Sequence, residues 1–364
     1  MTVLRNDIDH NLLTLAAHRA MRGHGGAEPN PMVGCVITNS DNEVVGSGHH
    51  ARCGEWHAER MALSVAKENA KGGTAYITLE PCAHQGKTPP CTAALIEAQI
   101  RRVVFAARDP NPIASGGAAV LRKAGIDVIE RSDVALANQL NAPFLYRCQT
   151  GLPWVTAKWA QTLDGRIATA EGDSKWISGS TSRRLVHRTR GRVDAILTGI
   201  GTVLADDPRL DARNVRRRRT AIRVLVDPAL DLPLDATLLT TAAEIPLIVA
   251  TEDPTSTKAQ DVRSRGGEVI PFDAGLEGVL RLLAQEHNVA NVLVEAGGGL
   301  LGALFHDGLV NAALVFTAPM LLGDREAPSA ARGLAPSRIT DGITFTPLWT
   351  GRRGDDLVGW YFVT

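Results

Sequence analysis

Hydrolysis at neutral pH needs a nucleophilic water and a group that carries its proton to whatever leaves. Residues suited to both tasks lie in the first hundred positions of this 364-residue chain. His57-Ala58-Glu59 stands where a helical pattern begins, Pro81-Cys82 closes the strand pattern TAYITLE, and Cys91 opens the helix TAALIEAQI. One imidazole and two thiolates are ordinary zinc ligands, and three of them leave the fourth tetrahedral position for a water, whose pKa zinc lowers to about 7. Glu59, kept off the metal, is then free to move protons. Starting positions on helices also favour thiolate over thiol.

Taken singly, these fragments are ordinary. His57 reads as a surface histidine, Glu59 as a first-turn acid and the cysteines as buried hydrophobes. All four in order, each at an element boundary, match the signature of zinc-dependent base deaminases, in which the glutamate is not a ligand. Cys35, Cys53 and Cys148 have no such partners and read as core or inert thiols. An odd five cysteines in a long chain argue against a disulfide framework.

The elements that must hold these groups alternate in type. A helix over 7–23, strands MVGCVIT and EVVGSG, and a helix over 56–70 come first, then TAYITLE and two further helix–strand alternations. A layered α/β domain over 1–147 is expected, ending in a helix near 133–145. Gly151 and Pro153 mark a boundary, and a second α/β series fills 153–364. There, strand NVLVEA runs into Gly297-Gly298-Gly299 and a helix, so backbone N–H groups could cradle a diphosphate, although the spacing is not a Rossmann fingerprint.

Acidic and basic residues balance at 39 each, so no global field draws the chain to nucleic acid or anionic membrane. Aromatics at 4% leave little for stacking single-stranded bases. No stretch approaches the ~20 apolar residues of a membrane span, and the opening residues lack a signal-peptide core, so a cytoplasmic location is expected. The one basic run, Arg216 to Arg219, reads as a solvated loop between strands, with phosphate binding as its other reading.

The spacing between the cysteines narrows the family. Glu80-Pro81-Cys82-Ala83-His84-Gln85-Gly86-Lys87-Thr88-Pro89-Pro90-Cys91 resembles the deaminase half of the bifunctional riboflavin-biosynthesis deaminase–reductases, as do Pro29-Asn30-Pro31-Met32-Val33-Gly34 and Gly46-Ser47-Gly48-His49-His50. Three blocks extend the likeness: Lys158 to Arg166, Gly199 to Arg213, and Val294 to Gly298. The resemblance implies a three-layer cytidine-deaminase-like domain followed by a dihydrofolate-reductase-like domain. It implies zinc and NADPH as cofactors, phosphoribosyl-pyrimidine substrates, and homo-oligomeric assembly. It places Asn30 and His50 on the pyrimidine and His84 and Lys87 near the ribose phosphate. In the second half it places Ala160, Trp176, Thr202, Asp206 and Gly297, Gly298, Gly299, Leu300, Leu301, Gly302 and Ala303 on NADPH. Ser174, Arg190, Leu210, Arg213 and Glu295 would hold the substrate, with both arginines on its phosphate and Lys158 near the sugar. Two positions depart from the family pattern: Trp56 stands where a smaller residue is usual, and Pro228 where a serine often lies near the cofactor.

Two other readings remain at this point. One is a nucleic-acid or nucleotide deaminase with an appended nucleotide-binding module, which neutral charge and scarce aromatics disfavour. The other is a binding protein with structural zinc, which has no need of Glu59.

Overall fold

The computed structural model describes residues 2–85, 89–112 and 114–364, with side chains from residue 7. Two compact units divide it, Met1–Gly151 and Leu152–Thr364.

The first unit runs α1 (Thr2–Ala20), β1 (Gly34–Thr38), β2 (Val44–His49), α2 (Ala58–Ala66), β3 (Thr74–Ile77), α3 (Cys91–Glu97), β4 (Arg102–Phe105), α4 (Gly117–Lys123), β5 (Asp127–Glu130) and α5 (Ala135–Thr150). Its sheet has the order β2-β1-β3-β4-β5. β1 pairs antiparallel with β2 and β3, and β3, β4 and β5 are parallel. Alternation along the strands splits the core into two faces. Val36, Tyr76 and Val104 meet Leu13 and Ala16 of α1 and Ala137 of α5. Cys35, Ile37, Ile77, Val103 and Phe105 meet Ala62 of α2, Leu95 of α3 and Leu121 of α4. Three layers result, as the sequence leads one to expect.

Glycines set the distance between these layers. A Cβ on Gly46 or Gly48 would overlap the carbonyl oxygens of Ala62 and Ala58, so α2 lies directly on β2. That contact fixes the start of α2, where His57 and Glu59 sit. Beneath the sheet, the nearly buried Asp9 of α1 accepts from both terminal nitrogens of Arg102 at 2.8 and 2.6 Å, a charge pair whose loss from one side would strand the other.

The second unit runs β6 (Trp154–Gln161), α6 (Ser180–Arg190), β7 (Ala195–Gly199), α7 (Ile200–Asp206), β8 (Ile222–Val226), α8 (Thr237–Thr240), β9 (Leu247–Thr251), α9 (Thr257–Ser264), β10 (Glu268–Pro271), α10 (Gly275–Glu286), β11 (Asn291–Glu295), α11 (Gly298–His306), β12 (Ala312–Thr317), β13 (Phe345–Arg353) and β14 (Asp356–Val363). One nine-stranded sheet takes the order β10-β9-β8-β7-β11-β6-β12-β14-β13. It is parallel from β10 to β12, and the β13–β14 hairpin adds two antiparallel strands at its edge. β11 inserts between β7 and β6, late in the chain but central in the sheet. Open parallel sheets bind ligands beyond the carboxyl ends of their strands where the order reverses, which here means the ends of β7, β11 and β6.

Four elements depart from expectation, one of them the four-residue α8, which is too short to show a periodic pattern. α5 continues to Thr150, through Pro143, and Gly151 ends it in the left-handed region at φ 73°. α7 and β13 are not signalled in the sequence; β13 is exposed along most of its length and carries Pro347, so no apolar alternation marks it. Among the described residues, no helix is long and apolar enough to cross a membrane.

Candidate active sites

In the first unit, three loops bring the sequence-flagged residues together. His57 is the N-cap of α2, Glu59 lies in its first turn, and Cys91 is the first residue of α3. Cys82 is held by the turn after β3. The Glu80 carboxylate there accepts from the N–H groups of Ala118 at 2.9 Å and Asp109 at 3.3 Å, and Gly117 has no Cβ to collide with the Pro81 carbonyl. Glu80 and Gly117 carry no motif of their own. An acid at the end of a buried strand, directly before Pro-Cys, is the signal that points to this role.

The His57 Nδ1 atom lies 3.6 Å from Cys82 Sγ and 3.4 Å from Cys91 Sγ. Tetrahedral zinc with bonds of about 2.3 Å to sulfur and about 2.0 Å to nitrogen spaces such ligand atoms roughly 3.5 Å apart. All three candidate ligand atoms fall within 4.8 Å of one another. The donor set therefore fits zinc. The Cys82 thiol is pulled down to about 4, first by the hydrogen bond from the Cys91 thiol and then by those from His57 and the Cys91 N–H at 3.4 Å, against its burial. Cys91, the other half of that sulfur pair, is pushed up.

Glu59 is 3% exposed, and burial raises its pKa above the usual carboxylate range. Its Oε2 has no hydrogen-bond partner. An unpaired carboxylate oxygen buried beside a metal-type cluster is costly for stability and useful for proton transfer.

The wall of the same site is ordered by tautomer. The His50 Nδ1 atom lies 3.1 Å from the Trp56 carbonyl, which can only accept, so Nδ1 carries the proton and Nε2 accepts from Asn30 Nδ2 at 3.2 Å. Burial lowers the His50 pKa, keeping the ring neutral. His50 packs edge-on against His57, with ring centroids 5.1 Å apart. The departure at Trp56 thus leaves its carbonyl in service while the indole is 54% exposed. His84 Nδ1 is buried and unpartnered, and Lys87 lies outside the described residues.

In the second unit, Thr202 of α7 and Gly297, the N-cap of α11, meet where β7 and β11 end: the Gly297 N–H donates to Thr202 Oγ1 at 3.2 Å. The three glycines differ in kind. A Cβ on Gly297 or Gly299 would face open space, whereas on Gly298 it would crowd the Ser329 carbonyl at 2.6 Å and on Gly302 it would overlap that of Arg332. Gly298 and Gly302 therefore seat the chain's own 329–332 segment. Leu301 is fully buried, Ala303 is exposed, and Leu300 lies against Gly199. Asp206 pairs with Lys175 at 3.0 Å, and the guanidinium of Arg183 stacks 4.5 Å over the exposed Trp176 ring. Ala160 lies half-buried on β6, and Ser174 is half-buried in the loop before α6.

Beside them, Glu295 ends β11 as the centre of a cationic cage. Arg190 contacts it at 2.5 and 3.0 Å and Lys158 at 3.4 Å, while Arg190 Nη1 donates to the Asp211 carbonyl at 3.1 Å. Burial alone would raise the Glu295 pKa; Arg190 and Lys158 instead hold it down at about 2. Arg213, half-exposed, lies 3.3 Å from Asp211, which also pairs with Arg209 at 3.0 Å. Leu210 is buried in the left-handed region at φ 49°, a conformation a branched-chain residue keeps only when its surroundings impose it.

The cage has a pH signature. Since Glu295 is depressed from 4.5 to about 2, its stabilisation is complete above pH 4.5 and is lost as pH falls through 2. We expect the unfolding free energy of the wild type, read from denaturant titrations, to fall across this window by on the order of 3 kcal/mol, and that of Glu295→Gln to fall by clearly less. Parallel acid profiles for the two proteins would refute the cage as the source.

Comparison with known proteins agrees with this geometry. Residues 7–107 match the cytidine and deoxycytidylate deaminase zinc-binding region, and residues 153–346 match the RibD C-terminal domain. The riboflavin biosynthesis protein RibD of Aquifex aeolicus is 41% identical over 87% of this chain and 89% of its own length; that of Escherichia coli is 40% identical over 90% of each. Among solved structures, RibD of Acinetobacter baumannii aligns over 98% of this chain and 99% of its own, with 36% identity and a TM-score of 0.85. The Thermotoga maritima diaminohydroxyphosphoribosylaminopyrimidine deaminase/5-amino-6-(5-phosphoribosylamino)uracil reductase aligns over 99% and 100%, with 31% identity and a TM-score of 0.86. With a zinc-type triad beside a buried glutamate in one unit and the matching reductase domain in the other, this chain belongs to the RibD family of riboflavin biosynthesis proteins.

Proposed function

We infer that this chain performs two successive reactions of riboflavin biosynthesis, a deamination in its first unit and an NADPH-dependent reduction in its second. The observation that carries the first is Glu59, buried and with its Oε2 unpaired, beside His57, Cys82 and Cys91. Zinc held by those three would supply electrophilic activation of water. Glu59 takes the proton that the water gives up and returns it to the ring nitrogen and the departing amine, its raised pKa suiting both directions. Neutral His50, fixed by the Trp56 carbonyl, holds Asn30 against the pyrimidine. The substrate is 2,5-diamino-6-(5-phosphoribosylamino)pyrimidin-4(3H)-one, which loses its 2-amino group as ammonia.

In the second unit, the ribosyl group of 5-amino-6-(5-phosphoribosylamino)uracil becomes ribityl. NADPH supplies the hydride when bound, and the protein orients the two molecules. Gly298, Gly299 and Leu300 are the first helical residues of α11, whose N–H groups have no partner within the helix and suit a diphosphate. Lys158 and Glu295 border the sugar.

A matched pair of substitutions tests the cofactor placement. Gly299→Val puts a side chain into open space where the diphosphate would lie, and should raise the NADPH dissociation constant about tenfold or more without altering the melting temperature. Gly298→Val should destabilise the fold instead, through Ser329. Unchanged NADPH affinity in Gly299→Val would move the cofactor elsewhere.

Neutral net charge and few aromatics support small-molecule substrates with no nucleic acid among the partners. We place the protein in the cytoplasm, where cysteines stay reduced. The family resemblance adds homo-oligomeric assembly, which light scattering reads directly.

A further inference from the structure

The block from Lys158 to Arg166 ends in a turn, 162–166, that has no part in either reaction as described above. The turn follows β6, at the carboxyl edge of the sheet where ligands of such sheets bind. It is closed on itself. The Thr162 N–H donates to the Arg166 carbonyl at 2.9 Å, Thr162 Oγ1 donates to Asp164 Oδ1 at 2.6 Å, and Gly165 takes the left-handed conformation at φ 77°. From this rigid base two side chains grip one distant stretch of chain. The Asp164 carboxylate accepts from the N–H groups of Leu322 at 3.3 Å and Gly323 at 2.8 Å. Arg166 Nη1 donates to the Ala327 carbonyl at 2.7 Å, and the neighbouring Ile167 N–H donates to the Pro328 carbonyl at 3.0 Å. Arg166 and Ser329 also form an isolated antiparallel bridge.

What lies just beyond the second grip gives it a function. The Ser329 carbonyl stands 2.6 Å from where a Cβ on Gly298 would be, and the Arg332 carbonyl fills the space of a Cβ on Gly302. Between them the Arg332 N–H donates to the Gly298 carbonyl at 2.8 Å. Residues 329–332 are thus laid directly on the first turns of α11. Residues 318–338 lie in no helix or strand, so contacts of this kind, rather than a ladder, decide where they run. Arg166 is half-buried and its Nε is buried without a partner, which costs stability; what the side chain secures is position. We propose that Asp164 and Arg166 are positioning residues of the reductase. By gripping 322–328 they hold 329–332 against α11, and so fix the N–H groups of its first turn that receive the NADPH diphosphate. This rests on the reading that the diphosphate lies at the start of α11.

The test uses the full zinc-loaded chain, with NADPH alone for binding and with 5-amino-6-(5-phosphoribosylamino)uracil added for turnover. Arg166→Met and Asp164→Ala should each raise the NADPH dissociation constant about tenfold, with kcat at saturating NADPH within about threefold and KM for the uracil unmoved. Arg166→Lys keeps one donor for the Ala327 carbonyl and Asp164→Asn keeps one acceptor, and each should recover most of the loss. Amide hydrogen exchange should quicken in residues 298–302 and 320–332 and hold its wild-type rate in β8 and β9. Gly299→Val serves as the reference. Wild-type NADPH affinity in Arg166→Met and Asp164→Ala, with affinity lost in Gly299→Val, would overturn the proposal and leave the cofactor placement standing. Wild-type affinity in all three would overturn both. Weaker binding with unchanged exchange in 298–302, or faster exchange throughout the second unit, would refute a positioning role.

Discussion

Glu59→Gln is expected to lower ammonia release by about 10²–10⁴-fold while zinc content and NADPH-dependent reduction stay at wild-type levels. The substitution keeps the shape of the side chain and removes its capacity to accept a proton. Two features make the effect large. Glu59 is almost fully buried, so bulk water offers no substitute base, and its Oε2 is committed to no other group. Stability should hold or rise, because a neutral amide replaces a carboxyl group whose ionised form is penalised by burial. Near-normal turnover in this variant would mean that another group moves the proton. Loss of zinc along with activity would mean that Glu59 helps hold the metal.

Cys82→Ser should have the second largest effect and the opposite pattern in metal content. A serine hydroxyl stays protonated where a cysteine gives up its proton to bind zinc, so the triad loses a thiolate donor. Zinc per chain should fall from about one towards zero, and ammonia release should fall with it. Reduction of the pre-deaminated substrate should survive, since its residues lie in the other compact unit. Full zinc occupancy in Cys82→Ser would remove Cys82 from the ligand set.

The zinc site was legible because each part of it sits in a short motif at an element boundary, where type and spacing are both constrained. What supports that site was not. Glu80 and Gly117 act through backbone groups far apart in sequence, and Gly46 and Gly48 matter because of the distance between β2 and α2. Such requirements exist only once the layers are stacked. The reductase half shows the converse. Gly297 to Gly299 reads as one motif, yet the fold divides it into positions that face open space and a position that seats residues 329–332. Arg190 reads as a phosphate ligand, yet it is engaged by Glu295 from 105 residues away in sequence. Pro228, which offers neither hydroxyl nor N–H, contributes its carbonyl, accepting from Thr251 Oγ1 at 2.9 Å and the Glu252 N–H at 3.0 Å.

One assay tests most directly whether the two units perform consecutive reactions. Purified zinc-loaded protein is given 2,5-diamino-6-(5-phosphoribosylamino)pyrimidin-4(3H)-one, with and without NADPH, while ammonia and the absorbance of NADPH are followed separately. Without NADPH, ammonia should be released to about one equivalent of substrate and the deaminated uracil should accumulate. With NADPH present, its oxidation should begin after a lag that matches ammonia release, and adding the deaminated uracil directly should abolish the lag. Oxidation of NADPH ahead of ammonia, or ammonia release that requires NADPH, would contradict the assignment of deamination to the first unit and of the following reduction to the second.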